Sequence, residues 1–491
     1  MWYNSDMKQV VTRFAPSPTG YIHIGNVRSA IYPYLLARQA GADGKFILRI
    51  EDTDRARYVE SATELIIETL KWLGLDWDEG PGVGGDNGPY FQTERKETYH
   101  EWAQKLIASG RAYADPTSAT RITEYRNEAE AKKQPFLYRN YRPEETPEWE
   151  VGMPLRFKAE PKDYEYHDEV YGDLHAGAET QDDFILIKAD GLPTYNFAHI
   201  IDDAMMGVTH VTRGQEYLPS MGNYLALYEA LGLPRPLLVH LPHILGPAGT
   251  KKLSKRDGAK SVTDYRDMGI LPEAMLNFLT MLGWNDGTEQ EIFSKEDLTQ
   301  KFSLDRIQRS PARFNEAKLL WLNGQWIRKL HAENRNELRR RAHDFWDNLA
   351  NNAPEERKNV ILDIMYDRLK TLADLRSMTG YFFRDPRIDL MMLKQNKFLS
   401  ALSEEELQNL LQAAVKKLEA VEDWTPENIQ AALNELLAET GTKPPVLFSP
   451  IRIALSFAPF SPALPETMKV LSKEVVLARL NAVIEALSNE K

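Results

Sequence analysis

The sequence predicts an α/β protein: a parallel sheet of the Rossmann type in the N-terminal half, an inserted α+β module within it, and an all-helical C-terminal part. Three observations predict this. Strand-like and helix-like segments alternate through the first 73 residues. A charged stretch punctuated by prolines interrupts them from about 115 to 190. After Leu330 the apolar residues recur at helical spacing.

Taken in order, Gln9–Phe14 is a β-rich run that stops at Ala-Pro-Ser-Pro-Thr-Gly, where prolines fix φ and remove donors. A helix is expected from about Asn26 to Gln39, with Pro33 inside it as a kink. Lys45–Ile50 reads as a second strand, ending at Glu51-Asp52-Thr53-Asp54. Ser61–Leu73 places Leu65, Ile66, Thr69, Leu70 and Leu73 near one helical face. Pro116, Pro135, Pro143, Pro147, Pro154 and Pro161 mark the insertion. Sheet-like runs resume at Phe184–Ile187, His210–Thr212 and Leu237–Leu245. Residues 251–260 form a polar loop with five basic residues and one acid. Val476, Leu477, Leu480, Val483, Ile484 and Leu487 predict a helix over Val470–Leu487, and residues 441–445 (Gly-Thr-Lys-Pro-Pro) mark a break before it. No internal repeat is present.

The 491 residues suggest about three domains. With 43% hydrophobic and 27% charged residues the chain has ample material for several cores, which excludes a disordered or collagen-like chain. A net charge of −12, from 60 basic and 72 acidic residues, argues against a protein that coats nucleic acid indiscriminately but allows a local basic surface. Cysteine is absent, which removes disulfides, thiol nucleophiles and Cys-ligated metal sites; no His-Glu-x-x-His pattern replaces them. No secretory signal and no run of about 18 apolar residues is seen, so a cytoplasmic, multi-domain protein is expected.

Two motifs carry chemistry. In Ala15-Pro-Ser-Pro-Thr-Gly-Tyr-Ile-His-Ile-Gly-Asn26 a strand ends, a stiff loop crosses, and His23-x-Gly25 opens a helix. A helix N-terminus offers unpaired amides and a positive dipole end to a phosphate. His23 adds a donor, and Gly25 lets a nucleotide approach the backbone. Lys252-Leu-Ser-Lys-Arg256 sits in the basic loop, where lysines can close over a triphosphate and neutralise charge on a pyrophosphate leaving group. Either motif alone reads more readily as an exposed loop, the second one clearly so. Together, in this order and each after a strand, they describe what adenylyl transfer needs.

With these motifs the chain resembles the class I aminoacyl-tRNA synthetases, and among them the bacterial-type glutamyl-tRNA synthetases. His23-Ile-Gly-Asn26 stands where that family has HIGH, and Lys252–Arg256 where it has KMSKS. Arg13–Gly20, Arg49–Arg55, Pro193–Asn196 and Val211–Gly214 also match. The resemblance implies catalysis by His23, Gly25, Lys252 and Lys255. It implies glutamate binding by Arg13, Ala15, Ser17, Glu51, Tyr195, His199 and Arg213. Arg13 and Arg213 would hold carboxylates, Glu51 the ammonium and Tyr195 the side-chain end; this suits a substrate with two carboxylates and one ammonium. ATP would contact His23, Gly25, Glu216, Ile244, Leu245, Lys252, Ser254 and Lys255, with Mg²⁺ as cofactor and no protein-held metal. Three positions depart from the family: Asn26 replaces the second histidine of HIGH, His199 stands where relatives often carry Asn or an apolar residue, and Pro33 lies inside the first helix.

The resemblance further implies ATP-dependent activation of L-glutamate, dependent on bound tRNA, and its transfer to the 3′ end of tRNA(Glu), by a monomer. Asp54 and Arg368 are the candidate tRNA contacts, Arg368 at the anticodon. Residues 326–345 carry six Lys/Arg against three acids, including Arg339-Arg340-Arg341, a candidate phosphate-contacting surface. The expected organisation is a catalytic domain over 1–114 and 191–260, an acceptor-end module over 115–190, a helical stem-contact region over 261–330, and anticodon-binding helices over 331–440 and 441–491. A shortened paralogue would lack the residues after Leu330. A glutamine-specific relative would end in β-barrels. A non-catalytic RNA-binding relative would not need His23, Gly25, Lys252 and Lys255, and an unrelated nucleotide-binding enzyme would match the motifs only by chance.

Overall fold

The computed structural model describes residues 9–20, 22–249, 251–253, 260–350, 352–458 and 461–489. Two compact units make up the chain. Met1–Tyr265 with Pro272–Glu316 form the first, and Arg266–Leu271 with Ala317–Lys491 the second.

In the first unit, strands β1 (Val10–Phe14) and β2 (Gly44–Leu48) flank helix α1 (Ile24–Gln39), and α2 (Ala62–Trp72) follows. Then come α3 (Lys96–Ala108), β3 (Ala112–Ala114), α4 (Ala119–Ala131), β4 (Leu155–Phe157), β5 (Tyr164–Asp168), β6 (Gly172–Ala176) and β7 (Ile185–Ile187). Helix α5 (Tyr195–Met205), β8 (His210–Gly214), α6 (Met221–Leu231) and β9 (Leu237–Leu241) complete the main layer. Six strands form one sheet in the order β2-β1-β8-β9-β5-β6, parallel except for the β5–β6 hairpin. Strands β5 and β6 come from the proline-rich insertion, so that segment extends the main sheet. Its own antiparallel sheet is β3-β4-β7.

Helix α1 is buried on nearly every side, which explains its weak amphipathicity in the sequence. It continues through Pro33 to Gln39, and the Thr12 hydroxyl donates to the Pro33 carbonyl at 2.7 Å. His23 caps it: the ring accepts from the Gly25 amide, while the Asn26 side chain accepts from the His23 amide. The run expected as one strand over Leu237–Leu245 divides at Pro242 into β9 and a short Ile244–Leu245 strand paired with Ala312–Arg313.

In the second unit the described residues are helical, without strands. Ser403 and Glu406 form a reciprocal cap for Glu404–Glu419, and Gly441 ends Pro426–Thr440 in the left-handed conformation (φ 61°) before Pro444 opens the next helix. The helix expected over Val470–Leu487 is interrupted at Ser472 (φ 78°), where Leu464–Leu471 stops and Lys473–Asn489 begins. Val476, Leu480, Val483 and Leu487 are buried as the spacing requires; Leu477 and Ile484 are partly covered. Among the described residues no helix is long and apolar enough to cross a membrane.

Candidate active site

A cavity of about 720 Å³ opens at the carboxyl ends of β1, β2, β8 and β9, where ligands sit in open parallel sheets. Arg13, Ala15, Ser17, Glu51, Tyr195 and Arg213 all line it, with His23, Gly25, Glu216, Ile244, Lys252 and Asp54. Cationic and acidic groups from stretches 200 residues apart thus meet in one space.

On one side lies a buried ionic network. Arg13 donates from Nε and Nη2 to the two carboxylate oxygens of Asp203 (3.0 and 3.3 Å) and from Nη1 to the Thr212 carbonyl. Arg49 joins Asp203 at 2.8 Å and Glu51 at 3.1 Å. Asp202, next along α5, takes Arg95, Gln92 and Tyr99. Burial pushes the Glu51 carboxyl up to about 7, against the opposing pull of Arg49 and Arg13. At Asp203 burial acts the same way, but Arg13 and Arg49 outweigh it and hold the carboxyl well below the usual range.

Arg213 is different. It is 6% exposed, yet among the described residues no carboxylate lies within ion-pairing distance of it. Its Nε donates to His240 Nε2 (3.0 Å), its Nη1 to His199 Nε2 (3.2 Å), and its Nη2 meets the Met221 sulfur. The rings of Tyr217 and Tyr224 lie 5.1 and 4.7 Å from the guanidinium carbon. A buried cation without a counter-charge is costly, so this position favours an anion.

The opposite side carries the two sequence motifs. His23 Nδ1 accepts the Gly25 amide at 3.1 Å, so the neutral ring carries its proton on Nε2. A Cβ on residue 25 would sit 3.1 and 3.2 Å from His23 Cε1 and Nδ1, so glycine there leaves the ring its place. Lys252 Nζ pairs with Glu216 Oε1 at 2.9 Å, and both are half exposed, as a group that exchanges partners needs to be. A Cβ on residue 214 would lie 2.0 Å from Glu216 Oε2, so a side chain there would displace the Glu216 carboxylate.

Some expected residues lie elsewhere. His199 does not line the cavity; it is buried behind it, stacked on Tyr195 (4.7 Å between centroids), with Nδ1–H donating to the Tyr195 carbonyl and Nε2 turned to Arg213. Burial and the Arg213 charge push it down to about 3, so it is neutral. Leu245 is beside the cavity rather than on it, in the short strand paired with Arg313. Ser254 and Lys255 lie outside the described residues. Asp54 lines the cavity, paired with Arg57. Arg368 belongs to the second unit, in a single turn over Tyr366–Arg368, half exposed and 3.6 Å from Asp367. The Arg339–Arg341 run is internally paired: Arg339 with Asp363, Arg340 and Arg341 with Glu337.

Residues 9–321 match the family described as tRNA synthetases class I (E and Q), catalytic domain, and residues 337–484 match an anticodon binding domain. The chain belongs to the class I tRNA synthetases of the E and Q family. The synthetase is 40% identical over 488 residues to a glutamate–tRNA ligase of Dehalococcoides mccartyi, covering 98% of each chain. It is 40% identical over 490 residues to that of Clostridium acetobutylicum, covering 98% of this chain and 99% of the other. A crystal structure of a glutamate tRNA ligase from Elizabethkingia meningosepticum in complex with its amino acid superposes with a TM-score of 0.85 at 33% identity, over 98% of this chain and all of that one.

Sequence reasoning missed Asp202, Asp203, His240 and Asp168. A signal existed for three of them, and none for Asp168, which sits in the charged insertion. Two acids follow Ile200-Ile201 within an apolar helix, and one histidine interrupts the apolar run Leu237-Leu-Val-His-Leu241. Polar groups that must be buried need partners, and here the partners are the synthetase's own arginines.

Proposed function

We propose that this synthetase is a glutamate–tRNA ligase using ATP, L-glutamate and tRNA(Glu). The observation that carries the reading is Arg213, a buried cation without a counter-charge among the described residues, in one cavity with Glu51. An amino acid with an anionic side chain supplies the missing charge, and Glu51 suits its ammonium. Arg13, already neutralised by Asp203, serves as a rigid donor at the floor, with Ala15 and Ser17 on the cavity wall. Tyr195 packs beside Arg213 at the side-chain end.

ATP occupies the side formed by His23, Gly25, Ile244 and the Lys252 loop. The α-carboxylate of glutamate attacks the α-phosphorus in line. The bond to the bridging oxygen breaks, and pyrophosphate leaves with that electron pair. His23 Nε2–H, at the positive end of α1, holds a phosphate oxygen, and Lys252, released from Glu216, neutralises pyrophosphate; Ser254 and Lys255 of the same loop act with it. A tRNA 3′-terminal ribose hydroxyl then attacks the acyl carbon of the anhydride, and AMP leaves. Positioning and charge stabilisation do this work without a covalent enzyme intermediate. Among the described residues no group of three or more His, Asp or Glu suits a protein-held metal. Mg²⁺ would come with the ATP phosphates and neutralise part of their charge.

Pyrophosphate exchange tests the reading. Exchange that requires both glutamate and tRNA is expected; exchange with glutamine alone, or none with any tRNA, overturns it. Charging of purified tRNA(Glu) and tRNA(Gln) in parallel shows whether both are substrates. Loss of exchange in Lys255→Ala is expected, and full activity there contradicts the role of that lysine.

A further inference from the structure

Arg213 is held by a chain of hydrogen bonds that begins in the insertion. Asp168, the last residue of β5, accepts at Oδ1 from the Val170 and Tyr171 amides (3.0 Å each) and at Oδ2 from the His240 amide (3.2 Å). The same Oδ2 takes His240 Nδ1–H at 2.6 Å, and His240 Nε2 takes Arg213 Nε–H at 3.0 Å. His240 and Asp168 are fully buried, and β5 lies beside β9 in the main sheet with Asp168 opposite Leu238. His199 receives a second guanidinium hydrogen from the other side.

We propose that His240, braced by Asp168, is a positioning residue for Arg213, and that clamping this guanidinium with imidazoles instead of carboxylates makes the cavity demand an anionic side chain on its amino acid. The inference rests on reading the cavity as the glutamate site. Each link has one polarity: Arg213 donates to both rings, and each ring donates onward from Nδ1, to the Asp168 carboxylate or the Tyr195 carbonyl. Burial and the Arg213 charge depress both histidines, so neither competes with Arg213 as a cation. A carboxylate in place of either ring would hold the guanidinium equally well but would satisfy its charge, and a neutral amide substrate would then lose little against glutamate. Of the two substrate carboxylates the side-chain group is the better match. The α-carboxylate loses its charge when the anhydride forms, whereas the side-chain carboxylate keeps it throughout.

Two comparisons on the full-length protein test this, each read as glutamate KM, ATP KM and kcat in tRNA charging. His199→Asp and His199→Asn differ in charge at nearly constant size. Asp is expected to raise the glutamate KM at least about tenfold over Asn, ~1.4 kcal/mol, with ATP KM within twofold. Equal glutamate KM values in the two variants overturn the charge argument. His240→Leu removes the acceptor, and His240→Gln restores one near the Nε2 position. Leu is expected to raise glutamate KM about tenfold or more with kcat within threefold, and Gln to recover most of it. An unchanged glutamate KM in Leu, or parallel increases in glutamate and ATP KM, overturns the positioning role. Should Leu fail to fold, His240→Asn, whose shorter amide falls short of Arg213, takes its place: a raised glutamate KM with the ATP KM within twofold supports the role, and an unchanged glutamate KM, or parallel increases in both, overturns it. Wild-type protein that charges no tRNA with glutamate defeats the functional reading itself, a result distinct from any of these.

Discussion

Asp203 binds Arg13 with both carboxylate oxygens, at 3.0 and 3.3 Å, and also takes Arg49 at 2.8 Å, so one acid from α5 anchors two arginines from the first and second strands' ends. All three side chains are buried. Asp203→Asn leaves two guanidinium groups short of a charge away from water, and a loss of about 3–5 kcal/mol is expected. Urea unfolding measures it; a loss below about 1 kcal/mol contradicts the network. The Asp203 carboxyl is depressed below its ordinary value near 3.8, so its contribution is fully present above that pH and disappears as pH falls through the lowered value.

Glu51 titrates in the working range. Its carboxyl sits at about 7 because burial outweighs Arg49 and Arg13, with Asp203 adding repulsion. An ammonium needs the ionised form, so glutamate KM is expected to fall as pH rises from 6 towards 8 and then level off. Glu51→Gln raises KM and removes that slope. Folding shows the opposite sign. A carboxyl raised above its ordinary 4.5 contributes its stability in full below 4.5 and loses it as pH rises through about 7, so Glu51→Gln is more stable than wild type at pH 8. KM profiles and melting curves of the two proteins check both halves.

Gly25→Ala forces the His23 ring aside, because the added carbon meets it at 3.1 Å. Pyrophosphate exchange is expected to fall about 10²-fold, the size associated with losing one transition-state donor. Thermal stability should change little or rise, since alanine favours a helix over glycine by about 1 kcal/mol. A variant with wild-type exchange removes His23 from the phosphate site.

Lys252 and Glu216 are half exposed, and their pair adds about 0–1 kcal/mol to stability. Lys252→Met is therefore expected to melt near the wild type while adenylate formation drops about 10²-fold. Single-turnover kinetics separate this from an effect on tRNA transfer; an unaltered activation rate excludes the lysine from the phosphate site.

Arg368 is half exposed. Arg368→Gln is expected to raise the tRNA KM and to narrow the preference between glutamate and glutamine anticodons, with the ATP and glutamate KM values unaffected. Charging of anticodon-mutated transcripts measures this, and unchanged discrimination excludes an anticodon role.

The alternation of strands and helices around Arg13, Glu51 and Arg213 was legible because local rules govern it. Prolines end β1, a histidine caps α1, and period-3.6 apolar spacing builds α2 and Lys473–Asn489. The break at Ser472 was not legible, because its one left-handed residue interrupts a spacing that continues on both sides.

By itself the sequence determined the strand–loop–helix units and which charged residues end them, since a chain's polar punctuation acts over a few residues. Only the tertiary structure decided how those charges are shared. It spends Arg13 on Asp203, turns His199 from the cavity onto Arg213, and brings Asp168 from the insertion to brace His240. Pairing across 14 to 190 residues depends on which elements become neighbours, and no local pattern carries that information.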